Sequence, residues 1–213
     1  MKRVTAALAL LLFTTAAWGD IFDHPLSAGT MESFRKTCTT LAAYPVVKGS
    51  FEQEKILNRL NRSLKSSGNF IIAYGYGMVW DTVKPFPSAL ALGKNYLVQS
   101  RPGGERTVLS AAGNETFIRM AEVISAVFSG NISGLMENFK VFYSGVPSSW
   151  EMGLLPLDRA INNFALRITM KGDSVIKSIT VYEQSGDTII YGLSNHSYSS
   201  DLSVHEKTFF SFP

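Results

Sequence analysis

Bulky apolar residues alternate with smaller ones along residues 68–80 of the chain. The bulky residues occupy every second position and are Phe70, Ile72, Tyr74, Tyr76, Met78 and Trp80. The smaller residues between them include Gly75 and Gly77, where a strand can bend. Because successive side chains of a strand point to opposite faces, the pattern predicts one long, bent strand with a bulky apolar face. Such a face suits the inner wall of a barrel or curved sheet, and the core of an ordinary sheet would show the same pattern.

Further strands and three helices are predicted on both sides of this stretch. Thr30 is a candidate cap for a helix that runs from Met31 to about Tyr44, before Pro45. The polar and basic residues 58–67 are predicted to form a loop or a ragged strand end. The remaining predicted elements are strands over 46–57, 89–92, 96–99, 106–109, 139–144, 150–155, 164–170, 175–182 and 188–193, and a short helix over 132–138.

The clearest helical pattern runs from Glu115 to about Ser129. Asn114 precedes it as a cap and Gly130 follows it as a C-terminal stop. Its apolar stripe includes Phe117, Met120, Ile124 and Phe128. Such a stripe fits a lid over the open side of a curved sheet, and it fits a permanently packed helix equally well.

The first residues have the features of a secretory signal. Lys2 and Arg3 form a basic start, an apolar run extends over residues 4–13, and Ala17 and Gly19 are small residues where a signal peptidase reads. We therefore expect residues 1–19 to be removed after Gly19. Residues 20–213 are then a single exported, soluble domain, because no repeat or low-complexity linker divides them.

Charge and cysteine content exclude two classes of protein. The full chain has 20 Lys and Arg against 17 Asp and Glu, and loss of the signal leaves 18 against 17. Near-neutral balance argues against nucleic acid as a partner. A single cysteine, Cys38, excludes a disulfide-stapled scaffold, and its helical spacing from Phe34 and Leu41 favours burial over reactivity.

Motifs for catalysis and cofactors are missing from the sequence. It has no phosphate-binding glycine loop, no Gly-x-Ser-x-Gly and no His-Glu-x-x-His. His24, His196 and His205 are scattered without metal-ligand spacing. We therefore expect no catalytic residues, no metal and no cofactor. Two alternatives remain at this point, a secreted hydrolase or transferase acting on lipids, and a structural or assembly module whose apolar face is a plain core.

Several short motifs, in this order and spacing, resemble the LolA-like outer-membrane lipoprotein carrier family. They are Gly49-Ser50-Phe51-x-Gln53, Leu64-x-Ser66-Ser67-Gly68-x-Phe70, Gly77-x-Val79-Trp80 and Pro85-Phe86-Pro87-Ser88, followed later by Trp150, Leu155-Pro156 and Gly186-Asp187. The resemblance covers nearly all of the mature chain.

The resemblance implies a mainly β (α+β) fold, a curved, incompletely closed antiparallel β-barrel lidded by α-helices. It also implies a periplasmic, non-enzymatic carrier, a monomer that takes an acyl lipid or lipoprotein from an inner-membrane donor and delivers it to an outer-membrane acceptor. The acyl chains would lie against the bulky alternating residues from Phe70 to Trp80. Phe117, Met120, Ile124 and Phe128 would belong to the lid.

One position departs from the family pattern. Lipoprotein carriers have a basic residue shortly before the tryptophan of the long strand, and it helps to hold the lid shut. Tyr74 lies near that position here, and no Arg or Lys occurs between Lys65 and Lys84. The segment Pro85-Phe86-Pro87-Ser88 is similar to the LolA-like proteins associated with aryl polyene or related acyl-lipid synthesis. The resemblance therefore leaves the cargo open between a lipoprotein and another acyl lipid.

We predict that the mature protein begins at Asp20. The reason is that the basic start, the short apolar run and Ala17-Trp18-Gly19 together form a signal-peptidase substrate. N-terminal sequencing of protein from a periplasmic extract measures this directly. Recovery of the protein in the membrane fraction with the apolar run intact would contradict it.

Overall fold

The computed structural model describes residues 19–93, 96–110, 126–127 and 130–211, with only the backbone for residues 109 and 110. Eleven strands in these ranges form one sheet. They are β1 Val46–Leu57, β2 Arg62–Ala73, β3 Gly77–Lys84, β4 Ser88–Gly93, β5 Tyr96–Ser100, β6 Arg106–Ser110, β7 Phe139–Val146, β8 Ser149–Pro156, β9 Ala165–Gly172, β10 Ile176–Glu183 and β11 Thr188–Ser199.

Every pairing in the sheet is antiparallel, and the order of the strands is β6-β5-β4-β3-β2-β1-β11-β10-β9-β8-β7. Strands β1 and β11 pair in the middle and join a meander of six strands to one of five. The edge strands β6 and β7 do not pair with each other in the described part of the chain. The predicted fold, an incompletely closed antiparallel barrel with helices, is confirmed.

One face of the sheet, called the inner face below, carries the main hydrophobic core. Helices α1 (Met31–Leu41), α2 (Ile132–Asn138) and α3 (Arg159–Asn162) contribute side chains to it. Phe34 of α1 is fully buried, and the hydroxyls of Thr37 and Tyr143 share a buried hydrogen bond of 2.7 Å that ties α1 to β7. Cys38 is also buried there, because it lies on the face of α1 that packs on the sheet.

Two segments, one before α1 and one after β11, cover parts of the opposite, outer face. Beyond β11, Leu202 packs with Val46 and Ala73, and Phe210 packs on the outer residues of β2 and β3. Helix α4 (Val204–Lys207) lies in this C-terminal segment, where Glu206 forms an ion pair with Lys48 of β1. At the other end of the sheet, a 3-10 turn over Ile21–Asp23 packs on β7 and β8.

The prediction of one long strand over residues 68–80 is wrong. Strand β2 ends at Ala73 and β3 begins at Gly77, so the stretch is a hairpin with a turn at residues 74–76. Gly75 adopts a φ of 80° in that turn, a conformation that glycine reaches without steric cost. The alternation pattern does not reveal the turn, because three residues separate the paired Ala73 and Gly77. Bulky and small residues therefore continue to alternate through the turn without a break.

Of the two alternatives predicted for residues 58–67, a loop or a strand end, residues 62–67 form a strand end as part of β2. They pair with the distal half of β1, where Leu57 lies opposite Arg62 and Gln53 lies opposite Ser66. Only Asn58–Leu60 form a connecting 3-10 turn. The polar composition reflects the exposure of this end of the hairpin, because backbone pairing does not require apolar side chains.

The alternation predicted for β9 changes parity part-way along the strand. Ile168 and Met170 point into the core as expected, but Leu166 is 45% exposed while Ala165 is fully buried. A bulge in the pairing with β10 lies at this point, between the Tyr182 and Glu183 pairs. Because a bulge adds an unpaired residue, it reverses which side chains point inward.

The predicted helix over residues 115–129 lies outside the described residues, apart from Ala126 and Val127, which are helical and buried. Phe117, Met120, Ile124 and Phe128 are therefore not placed. Gly130 has the φ of 64° that suits a helix stop, as predicted. A Cβ there would lie 2.9 Å from the Cβ of Ala42, so glycine allows close approach to the end of α1.

Thr30 does not cap α1 with its side chain as predicted. Its hydroxyl oxygen instead accepts a hydrogen bond from the backbone N–H of Ser27.

Candidate functional site

Four aromatic side chains from four strands meet on the inner face and are called the aromatic layer below. They are Phe51 of β1, Phe70 of β2, Trp80 of β3 and Tyr191 of β11. Trp80 is at the centre, stacked on Phe51 with ring centroids 4.2 Å apart and edge-to-face with Tyr191 at 5.2 Å. Phe70 lies directly opposite Trp80 in the hairpin, with a centroid distance of 6.0 Å. Aromatic pairs of this kind contribute about 0.5–1.5 kcal/mol each beyond burial.

A glycine beneath Phe70 makes room for its ring. Gly49 pairs with Phe70, and a Cβ at Gly49 would lie 2.7 Å from two ring atoms of Phe70 and 2.6 Å from the carbonyl oxygen of Ser194. On its other side, β11 has a bulge at Asn195 and His196, with Asn195 in the left-handed region at a φ of 53°. The bulge brings the His196 ring edge-on to Phe70 at 5.8 Å.

Exposure differs among the side chains of the aromatic layer and the neighbouring Met78. Phe51 and Phe70 are 1% exposed. Met78, Trp80 and Tyr191 are only partly buried, although they pack against the same core. A continuous apolar surface thus extends from the interior to positions that solvent reaches. Such a surface has the chemistry to bind an apolar chain, because each contact removes hydrocarbon from water.

The hairpin brings four of the six residues predicted to line the site onto one surface. Phe70 lies opposite Trp80 and Ile72 lies opposite Met78, all on the inner face. Tyr74 and Tyr76 lie in the turn, 67% and 40% exposed, and the Tyr76 ring packs against Phe210 of the C-terminal segment. Contact of these six residues with an acyl chain stays a prediction.

Sequence reasoning missed two members of the aromatic layer. Phe51 lies in the Gly49-Ser50-Phe51 motif and points inward on β1, as Val47 does. Tyr191 alternates with Ile189 and Leu193 on β11. Alternation alone signals that each residue points inward. It does not signal that β1 and β11 are neighbours, which brings both residues to Trp80.

One ion pair lies at the far end of the inner face. Lys55 Nζ is 2.7 Å from Glu183 Oε2, which also accepts a hydrogen bond from the Ser185 hydroxyl at 3.3 Å. Glu183 is 8% exposed and is the only charged residue that is buried within the described ranges. Burial, together with the negative charge of Glu183, raises the pKa of Tyr191 to about 12. The aromatic layer therefore borders a polar group.

The described residues show no arrangement suited to metal binding or thiol chemistry. Within those ranges, no three His, Cys, Asp or Glu side chains are grouped so as to hold a metal ion. Burial raises the pKa of Cys38 to about 12, which keeps the thiol protonated and unreactive at neutral pH. None of the helices in the described part of the chain has the length and hydrophobicity needed to cross a membrane.

A family model described as outer membrane lipoprotein carrier protein LolA matches residues 43–212. This match spans the whole sheet, including the aromatic layer. The chain belongs to the LolA family. No curated protein sequence matches it significantly.

Several solved structures are similar to this chain at low identity. A LolA superfamily protein from Nitrosomonas europaea is 9% identical, with a TM-score of 0.48 over 85% of this chain and 97% of that one. A putative outer membrane lipoprotein-sorting protein domain from Vibrio parahaemolyticus is 9% identical, with a TM-score of 0.44 over 90% and 100%. The Pseudomonas aeruginosa MucA/MucB complex gives 9% identity and a TM-score of 0.44 over 87% and 62%.

We predict that Gly49→Ala destabilises the protein because the new methyl group collides with the Phe70 ring and the Ser194 carbonyl. Overpacking of this kind costs about 1–3 kcal/mol in the free energy of unfolding, which urea denaturation measures. Gly192→Ala on β11 is the matched control, since a Cβ there has no neighbour nearer than 4.0 Å. Equal stability of both variants would show that Gly49 is not needed for close packing.

Proposed function

We propose that this protein is a periplasmic carrier that binds acyl chains of a lipoprotein or another lipid on the inner face of its sheet and shuttles them toward the outer membrane. The observation that carries the proposal is the aromatic layer, whose apolar surface continues from fully buried Phe51 and Phe70 to partly exposed Met78, Trp80 and Tyr191. Membership of the LolA family supports the same class of ligand.

Hydrophobic burial alone gives such a site sufficient affinity. Each methylene removed from water contributes about 0.8 kcal/mol, so ten buried methylenes contribute about 8 kcal/mol before the entropic cost of association. Binding needs no catalytic group and no cofactor. Release then requires a partner that opens the site or offers a better apolar surface.

The proposed setting follows from the predicted signal and from the chemistry of the cargo. An acyl lipid cannot cross an aqueous compartment exposed, so a carrier needs an inner-membrane donor and an outer-membrane acceptor. We propose that the protein acts as a monomer between them and does not bind nucleic acid. The near-neutral mature chain supports the last point.

Met78→Glu tests the site at a partly exposed position of the inner face. A carboxylate beside the aromatic layer disfavours an apolar chain, so binding of a fluorescent fatty acid such as cis-parinaric acid should weaken by at least about tenfold. The measurement is a fluorescence titration, after circular dichroism has shown that the variant folds. Ile72→Glu should act in the same direction at a more buried position.

Val83→Glu is the matched control, because it introduces the same charge on β3 at a residue that is 46% exposed. Its affinity should equal that of the wild type. Tyr74→Ala and Tyr76→Ala test whether the turn contacts the chain, as predicted from the sequence. If folded Met78→Glu binds the probe as well as Val83→Glu does, the inner face is not the lipid site.

The lid formed by residues 115–129 stays a prediction from the sequence, and hydrogen exchange tests it. Binding of cis-parinaric acid should slow amide exchange in a peptide that contains Phe117, Met120, Ile124 and Phe128, because a lid closes over its ligand. Exchange in α1, already packed through Phe34 and Cys38, should stay unchanged. Identical exchange of residues 115–129 with and without ligand would mean a permanently packed helix.

A further inference from the structure

We propose that Lys55, paired with Glu183 and bordered by Tyr191, forms a polar anchor on the inner face that binds the ester or amide carbonyl of the acyl cargo. This inference rests on the proposed function, since it names the group at the polar end of the bound chain. It also assigns a role to the Lys55–Glu183 ion pair.

The position of the pair along β1 fits this role. On the inner face Lys55 is followed by Gln53 and then Phe51, and these residues lie opposite Ile189, Tyr191 and Leu193 of β11. At about 3.3 Å per residue, Lys55 is about 13 Å from Phe51 along the strand. A chain bound at Lys55 would therefore extend over Tyr191 toward Phe51 and Trp80.

Lys55 has donors left for a ligand. An ammonium group has three N–H donors, and the contacts among the described residues give Lys55 one acceptor, Glu183 Oε2. The Lys55 side chain is 29% exposed against 10% for Glu183. Because the Lys55 side chain is partly exposed, a ligand on the inner face can reach its remaining donors.

The charge of the pair decides which head group fits. Lys55 and Glu183 neutralise each other at 2.7 Å, so the anchor presents hydrogen-bond donors without net positive charge. A free fatty-acid carboxylate would be repelled by Glu183, which lies within contact distance of the same ammonium group. A neutral carbonyl accepts a charge-assisted hydrogen bond without that repulsion. The Tyr191 hydroxyl, which burial and Glu183 keep protonated, is a second donor nearby.

A comparison of two glycerol lipids isolates the carbonyl. Monopalmitoylglycerol and hexadecylglycerol have chains of equal length, one joined through an ester and the other through an ether. Each is titrated against bound cis-parinaric acid, and displacement gives its affinity. The wild type should bind the ester about tenfold more tightly, as expected for a hydrogen bond to a charged group. Palmitate should bind more weakly than the ester.

Lys55→Met should abolish the preference for the ester while keeping the affinity for the ether. Because that change leaves Glu183 buried without its partner, the double variant Lys55→Met with Glu183→Gln is measured beside it. The matched control is Lys65→Met. Lys65 lies opposite Glu54, the residue next to Lys55 on β1, and forms an ion pair with it on the outward-facing side of the sheet. Lys65→Met should keep the full preference for the ester.

The outcomes separate this inference from the proposed function. Equal binding of ester and ether by the wild type, or tighter binding of palmitate, would overturn the anchor and leave the carrier proposal standing. A preference that survives in the folded double variant would overturn it as well. Failure of both glycerol lipids and of cis-parinaric acid to bind would instead overturn the carrier proposal.

Discussion

An open sheet with one apolar face must have that face covered, and this constraint governs the rest of the structure. A closed barrel packs its inner residues against each other, whereas this sheet ends at β6 and β7 without joining them. Cover on the inner face comes from short helices, with α1 held by the buried bond between Thr37 and Tyr143. At the aromatic layer, the described side chains of Met78, Trp80 and Tyr191 are only partly buried, and this is where we propose that the cargo binds.

The outer face has the same requirement on a smaller scale. Its apolar patches, around Val46, Ala73 and Val79, are covered by the C-terminal segment through Leu202 and Phe210. The ion pair between Lys48 and Glu206 fixes that segment at the rim of the patch. Because these outer patches are covered by the chain itself, the inner face is the better candidate for a ligand.

Glycines and bulges decide how closely the aromatic residues approach each other. Gly49 leaves room for Phe70, and the bulge opposite it on β11 turns His196 toward the same ring. Further along β1, inward Lys55 meets Glu183 just before the turn that joins β10 to β11. A buried charge is tolerated only with a partner, so this end of the inner face is polar while its centre is apolar. That polarity gradient matches an amphiphile.

The sequence by itself determined the class of the fold, most strand positions and the inward parity of Phe70, Ile72, Met78 and Trp80. Period-two alternation is a local property, and the motifs around Gly49 and Trp80 are local as well. Tertiary structure decided what lies beside what. The turn at Gly75 was invisible because pairing across three residues keeps parity, and the bulge beside Leu166 reversed the pattern of β9. The partnership of Lys55 with Glu183 joins residues 128 positions apart, and only the pairing of β1 with β11 brings them together.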